Sequence, residues 1–265
     1  MLNLKLKKEV VVKDVIFNEK NFIYIAGPCS VESQSQIDEI AHFLSSLNVR
    51  VLRGGAFKPR TSPYDFQGLG EKGLQYLKRA AEKYNMIVQS EIVDKEDYDM
   101  FVPYVDIFQI GMRNMRNYPL LKKMSKTDKP IFLKRSFSAT YNDLLMSVEY
   151  ILEGGNTNVI LCERGIRTFE NYTRNTLDLT AVPALKNLCP FPVVVDPSHG
   201  TGKREFVSDM AKGALAVGAS GIMLEVHSDP EKSFSDARQT IDFKTFSNLK
   251  NSLDKIASAL EINVI

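Results

Sequence analysis

The sequence predicts a closed, all-parallel (β/α)8 barrel on three observations. Eight short apolar runs recur along the 265 residues, each followed by a polar loop and then an amphipathic stretch. The runs are rich in Val, Ile and Phe and nearly continuous, as strands covered on both faces are. Eight such units on a chain of this length match the count and the ~250-residue size that close a barrel. An open doubly wound sheet is the rival. It would carry a GxGxxG turn after the first strand, and none is present.

The elements follow in order. The strands are FIYIAG from Phe22, VRVLRGG from Val49, MIVQS from Met86 and VDIFQIG from Val105. IFLKR from Ile131, NVILCERG from Asn158, FPVVVDPSHG from Phe191 and SGIMLEVH from Ser220 complete the eight. Between them, the stretch from Gly68 spaces Leu74, Leu77 and Ala81 as a helix does. The stretch from Tyr141 sets Leu144, Leu145, Val148, Ile151 and Leu152 on one stripe and ends in Gly154-Gly155, a C-terminal stop. Thr240 to Leu260 reads as a long amphipathic helix. The leading residues 1–20 remain as an extension, and Leu4 to Phe17 read as a hairpin closing the barrel bottom. The expectation is one domain over residues 1–265.

Composition narrows the class of function. Hydrophobic residues make up 44% and charged residues 25%, ordinary for a globular chain and unlike collagen or disorder. Thirty-four basic residues against 32 acidic leave +2, which gives no argument for nucleic acid or a membrane surface. Three cysteines cannot form a disulfide framework and favour a reducing compartment. No apolar run reaches the ~18–20 residues that span a bilayer, and the N-terminus lacks the apolar core of a signal peptide. The protein is expected in the cytoplasm.

Chemistry concentrates at the strand ends, where a barrel of this kind builds its site. The first run ends at Cys29. The second leads to Arg53, Lys58, Arg60 and Thr61, the third to Glu91, and the fourth to Gln109, Arg113 and Asn114. The fifth ends in Lys134 and Arg135, the sixth in Glu163 and Arg164, the seventh in Asp196 and His199. Glu225 and His227 end the eighth, and Asp236 follows. Arg53, Lys58, Arg60, Arg113, Lys134 and Arg164 would repel one another at one mouth unless anions bind among them. Arginine forks match phosphate and carboxylate oxygens. Cys29, His199, Glu225 and Asp236 form a mixed S/N/O set that suits a divalent transition metal better than magnesium or calcium. Cys29 as a nucleophile activated by His199 is the competing reading. Cys162 and Cys189 read as structural, and His227 as a group facing the same side as Glu225.

The motifs AGPCSVES, LRGGAFKPRTSPYDFQGLGEKGL, QIGMRNMRNYPLL, IFLKRSFSAT, ILCERGIRTFENYTRNTLDL, VVVDPSHGTGKRE and MLEVHSDPEKSFSDA run from about Ile23 to Asp236. Through them the chain resembles the 3-deoxy-D-arabino-heptulosonate 7-phosphate (DAHP) synthases. The likeness is to the branch related to 3-deoxy-D-manno-octulosonate 8-phosphate synthase. The KPRTSP segment from Lys58 and the DPSHG segment from Asp196 are of the heptulosonate type, where the sibling reads KANRSS and DATHS. Two departures are Met112 and Arg116 in GMRNMRN, where the family has GARNMQN, and Ser228 in a segment that often reads HPDP.

The resemblance implies a (β/α)8 barrel that condenses phosphoenolpyruvate (PEP) with erythrose 4-phosphate and water, giving DAHP and phosphate. That reaction opens the shikimate pathway to chorismate and the aromatic amino acids. It implies one divalent ion (Mn²⁺, Fe²⁺, Co²⁺ or Zn²⁺) on Cys29, His199, Glu225 and Asp236. PEP is assigned to Arg53, Lys58, Arg113, Lys134 and Arg164, and erythrose 4-phosphate to Arg60, Thr61 and Asp196. Lys58 is the candidate proton donor, and Glu163 or Glu91 the group that positions water. A homodimer or homotetramer is implied. With no segment outside the barrel for a regulatory domain, insensitivity to aromatic amino acids is expected. The rivals are the octulosonate-phosphate activity, a Schiff-base aldolase using Lys134, and an inactive sugar-phosphate binder.

Overall fold

The computed structural model describes residues 9–60 and 62–265. Thr61 and the first eight residues of the expected extension lie outside them. A hairpin of β1 (Val10–Val12) and β2 (Val15–Phe17) comes first. The barrel strands are β3 (Asn21–Gly27), β4 (Val51–Arg53), β5 (Ile87–Glu91), β6 (Ile107–Ile110), β7 (Ile131–Lys134), β8 (Val159–Glu163), β9 (Val193–Val195) and β10 (Gly221–Glu225). Each pairs in parallel with the next, and β10 pairs with β3, from Gly221 opposite Ile23 to Glu225 opposite Gly27. The sheet is therefore a closed barrel of eight strands.

Around it lie α1 (Gln34–Ser46), α2 (Glu71–Lys83), α3 (Tyr98–Phe101), α4 (Tyr118–Met124), α5 (Tyr141–Glu153), α6 (Ala181–Leu188), α7 (Pro197–Thr201), α8 (Arg204–Ala216) and α9 (Phe243–Ala259). Caps fix several starts. Ser33 accepts from the Gln36 amide, Thr140 and Asp143 form a reciprocal capping box, and Asp242 accepts from Thr245. At the end of α5, Gly155 takes a left-handed φ of 107°, as the Gly-Gly stop predicted. A short β11 (Asn263–Val264), not foreseen in the sequence, lies against the outer edge of β3 near its start.

Two apolar layers result. Outward residues such as Tyr24, Leu52, Phe108 and Leu133 pack under the helices. Inward residues Ile23, Ile25, Val51, Ile87, Ile107, Phe132, Ile160, Cys162, Val194 and Met223 fill the barrel. Val10, Val12, Val15 and Phe17 join this inner layer, so the hairpin seals the N-terminal end as expected.

Side chains alternate across a strand with period two. The inward position two residues beyond each filler is therefore also inward. Val51 leads to Arg53, Ile87 to Gln89, Ile107 to Gln109, Phe132 to Lys134, Val194 to Asp196, and Met223 to Glu225. The barrel interior thus changes from apolar to ionic within one pleat, at the end where the loops begin. Gly27 occupies the matching place on β3. Its φ is 152°, and a Cβ there would overlap the Arg53 carbonyl oxygen, so only glycine lets β3 and β4 close at this point.

Candidate active site

Cys29, His199, Glu225 and Asp236 converge at this end. One donor atom from each lies within 4.8 Å of all the others. The Cys29 Sγ is 3.2 Å from Asp236 Oδ2. His199 Nε2 is 3.3 Å from Glu225 Oε1 and 3.8 Å from Asp236 Oδ2. Ligands about 2.0–2.3 Å from a common ion stand roughly 3–4 Å apart, so this spacing fits a bound metal. The donor chemistry fits as well, since two carboxylates crowd together here on the barrel axis.

Local sequence explains how His199 is presented. Asp196 ends β9 and caps α7, accepting the His199 amide at 3.0 Å, with Pro197 at the first helical position and Gly202 closing the turn at φ 67°. The Asp196 Oδ2 is 2.8 Å from His199 Nδ1 and 2.5 Å from Lys134 Nζ. That orients the ring with Nε2 toward the other donors. Burial would raise the Asp196 pKa, but the His199 ring and the Lys134 ammonium hold it well below the carboxylate range. Burial also pushes the Cys29 thiol up to about 12, with Glu225 adding to it and Lys58 working the other way. A thiol so disfavoured as thiolate is a poor free nucleophile.

Beside the donors is a cavity of about 230 Å³ lined by Lys58, Arg60, Arg113, Lys134, Arg164 and Arg174, with Glu91, Asp65 and Met112. Lys58 Nζ reaches Cys29 Sγ at 3.0 Å and so stands between donors and cavity. Arg60 donates to the Phe66 carbonyl. Arg164 is buried at 2% exposure. Its guanidinium meets only the carbonyls of Gly165 and His199, with no carboxylate within ion-pair range among the described residues. A buried, unneutralised guanidinium is a strong demand for an anion.

Three of the assigned residues have partners within the protein. Arg53 does not line this cavity; it is buried and donates to the Pro28 carbonyl at 2.8 Å and to Glu225 Oε1 at 3.1 Å. Asp196, assigned to the sugar, is fully buried and its oxygens are taken by Lys134 and His199. Glu163, assigned to water, accepts from Arg135 at 2.8 Å and from the Gly165 amide, behind the cavity wall. The cations are thus partly compensated by buried carboxylates of distant strands, which a linear reading of charge does not reveal. Arg116 pairs with Asp143 at 2.9 Å on the outside and adds no charge to the cavity. His227 Nδ1 accepts from the Asp229 amide, and its Nε2 lies 4.0 Å from Glu32 Oε2. Arg174 and Gln239 were not singled out in the sequence. A second groove, of about 860 Å³, adjoins the first and shares Arg174 and Asp236 with it.

Fold and site together define a barrel enzyme whose strand ends join four donors able to hold a metal to a cation-lined cavity. The chain belongs to the DAHP synthetase I family, whose model matches residues 4–261. It is 53% identical over 251 residues to the phospho-2-dehydro-3-deoxyheptonate aldolase of Thermotoga maritima, spanning 95% of this chain and 74% of that one. The crystal structure of that organism's DAHP synthase matches with a TM-score of 0.95 at 51% identity, covering 97% of this chain and 75% of the other. A truncated form of the Thermotoga maritima enzyme matches at 0.93 and 48%, covering 98% and 96%. The 2-dehydro-3-deoxyphosphooctonate aldolase of Koribacter versatilis is 29% identical over 270 residues, spanning 94% and 96%.

Proposed function

We infer that the chain condenses phosphoenolpyruvate with erythrose 4-phosphate and water, releasing DAHP and inorganic phosphate. The observation that carries this reading is the convergence of Cys29, His199, Glu225 and Asp236 beside a cavity walled by five of the six cations expected there. The relative at 53% identity carries the heptulosonate name and the one at 29% the octulosonate name, which supports the four-carbon acceptor.

Arg113, Lys134 and Arg164 clamp the phosphate and carboxylate of PEP and hold its C3 in attack range. Arg164, buried without a counterion, gives this clamp its strongest demand for charge. Arg60 takes the sugar phosphate at the outer rim, with Thr61 of the same motif. Cys29, His199, Glu225 and Asp236 would hold the divalent ion. When bound, the ion supplies Lewis acidity toward an aldehyde oxygen. Lys58, between the thiol and the cavity, delivers the proton to the new hydroxyl. Glu91 replaces Glu163 as the group that orients water toward C2, because it faces the cavity. Water addition at C2 precedes C–O cleavage and loss of phosphate. Arg53 and Asp196 act through Glu225, His199 and Lys134, fixing where these point.

The Lys134 Nζ is held by Asp196 Oδ2 at 2.5 Å, and a nitrogen engaged in that ion pair weighs against a Schiff base. Three free, buried cysteines suit a reducing cytoplasm, and among the described residues no helix is long and apolar enough to cross a membrane. The test is phosphate release from PEP with erythrose 4-phosphate or arabinose 5-phosphate in metal-defined buffer. Turnover should favour erythrose 4-phosphate, vanish on metal removal and return with Mn²⁺. Preference for arabinose 5-phosphate would transfer the chain to the sibling reaction, and full activity without metal would remove the ion from it.

A further inference from the structure

Each acidic member of the donor cluster has one oxygen facing the other donors. For Glu225 it is Oε1, 3.3 Å from His199 Nε2, which also accepts from Arg53 Nη1 at 3.1 Å and keeps its second lone pair toward the donors; for Asp236 it is Oδ2, 3.2 Å from Cys29 Sγ. The opposite oxygens meet a single chain of hydrogen bonds. Gln239 Nε2 donates to Glu225 Oε2 at 2.6 Å. Arg174 Nη1 donates to Gln239 Oε1 at 3.1 Å and to Asp236 Oδ1 at 3.2 Å. Only one orientation of the amide satisfies both neighbours, since a carboxylate needs a donor and a guanidinium an acceptor. Gln239 is 2% exposed, so neither end of it is offered to solvent. Asp236 itself sits in the left-handed region at φ 55°, a conformation aspartate adopts more readily than most residues.

We propose that Gln239 and Arg174 form a bridge that withholds the outer oxygen of both Glu225 and Asp236, so that each can offer a bound divalent ion one oxygen only. The inference rests on the metal reading above. A carboxylate free to swing presents both oxygens and fills positions that a substrate oxygen needs. With both outer oxygens tied, four single-atom donors leave part of the ion's surroundings open, as a catalytic site requires. Arg174 lies on the loop after β8 and lines both the cavity and the adjoining groove, so the bridge also links that loop to the donors. Gln239 and Arg174 are positioning residues in this scheme.

Cobalt(II) binding to the whole chain tests it. In the wild type, Co²⁺ should give a thiolate-to-metal charge-transfer band from Cys29 and intense visible bands of low coordination number. Gln239→Met keeps length and removes both hydrogen bonds. It should raise the Co²⁺ dissociation constant about 10–100-fold and weaken the visible bands as Glu225 adds its second oxygen. Arg174→Met, on an exposed loop, should do the same through Asp236, and the double variant should cost less than the product of the singles. Melting of the metal-free proteins by circular dichroism controls for folding. If Gln239→Met does not fold, Arg174→Met carries the test alone. Dissociation constants within twofold of wild type and unchanged visible bands would overturn the bridge while leaving the metal site standing. Absence of the charge-transfer band in the wild type would overturn the metal reading, and the bridge with it.

Discussion

Arg164 and Arg60 have the same charge at opposite depths of one cavity, and their surroundings set different tasks for them. Arg164 is buried, and its guanidinium meets two carbonyl oxygens and no carboxylate among the described residues. Arg60 is half-buried at the rim, with one hydrogen bond to the Phe66 carbonyl. On the function proposed above, the deep Arg164 would take the PEP anion and the rim Arg60 the sugar phosphate. Arg60→Ala should therefore raise the KM for erythrose 4-phosphate at least about tenfold, the scale of losing a charge-assisted hydrogen bond, and leave that for PEP within twofold. Steady-state kinetics with each substrate varied in turn measures this. Equal increases for both would mean that the two phosphates do not separate by depth.

Strand ends carry the site, and one ionic cluster shows how they are held. Arg135, just past β7, donates at 2.8 Å to Glu163 at the end of β8 and at 2.8 Å to Asp178 in the loop before α6. Tyr141 of α5 adds a bond to Asp178 at 2.8 Å. Burial raises the Asp178 pKa, but hydrogen bonds from Arg135, Thr180 and Tyr141 outweigh it, so the folded value lies below the unfolded one of about 3.9. The charged form therefore favours folding. Its contribution is complete above about pH 4 and is lost as pH falls through the lower folded value. Asp178→Asn should lower stability by on the order of 1–2 kcal/mol at neutral pH, and the gap to wild type should narrow as pH falls below about 4. Urea melts at pH 7 and pH 3.5 measure it, and a gap that widened in acid would show the sign to be wrong. The strands and the choice of strand-end residues were legible because period-two burial and apolar runs are local signals. The partners of those residues were not. Arg53 meets Glu225 across 172 positions, Lys134 meets Asp196 across 62, and Arg174 meets Asp236 across 62. Only the folded barrel brings them together, so the linear reading could not show that Arg53, Asp196 and Glu163 meet Glu225, Lys134 and Arg135. Gln239 and Arg174 carry no local motif at all.

At the scale of the whole molecule, the barrel divides its length between stability and chemistry. The lower interior is filled by apolar side chains and sealed by the hairpin, and the next inward layer is ionic. The hairpin contributes Val10, Val12, Val15 and Phe17 to the inner core, and Phe17 is fully buried there. The chain runs from it into β3, and its attachment depends on this packing and on ion pairs such as Arg50–Asp14 at 2.7 Å and Lys13–Asp106 at 2.8 Å. Those pairs are largely at the surface and are worth at most about 1 kcal/mol each. The aromatic ring is the main anchor, and Phe17→Ala should cost about 3–5 kcal/mol. The loss falls at the end of the barrel opposite the donors and the cavity. Unfolding monitored by circular dichroism should therefore shift strongly, while kcat and both KM values of the folded fraction stay within about twofold of wild type. An equal loss of turnover in protein that is still folded would mean that the sealed end transmits to the site. The separation of the apolar floor from the ionic layer above it would then be incomplete.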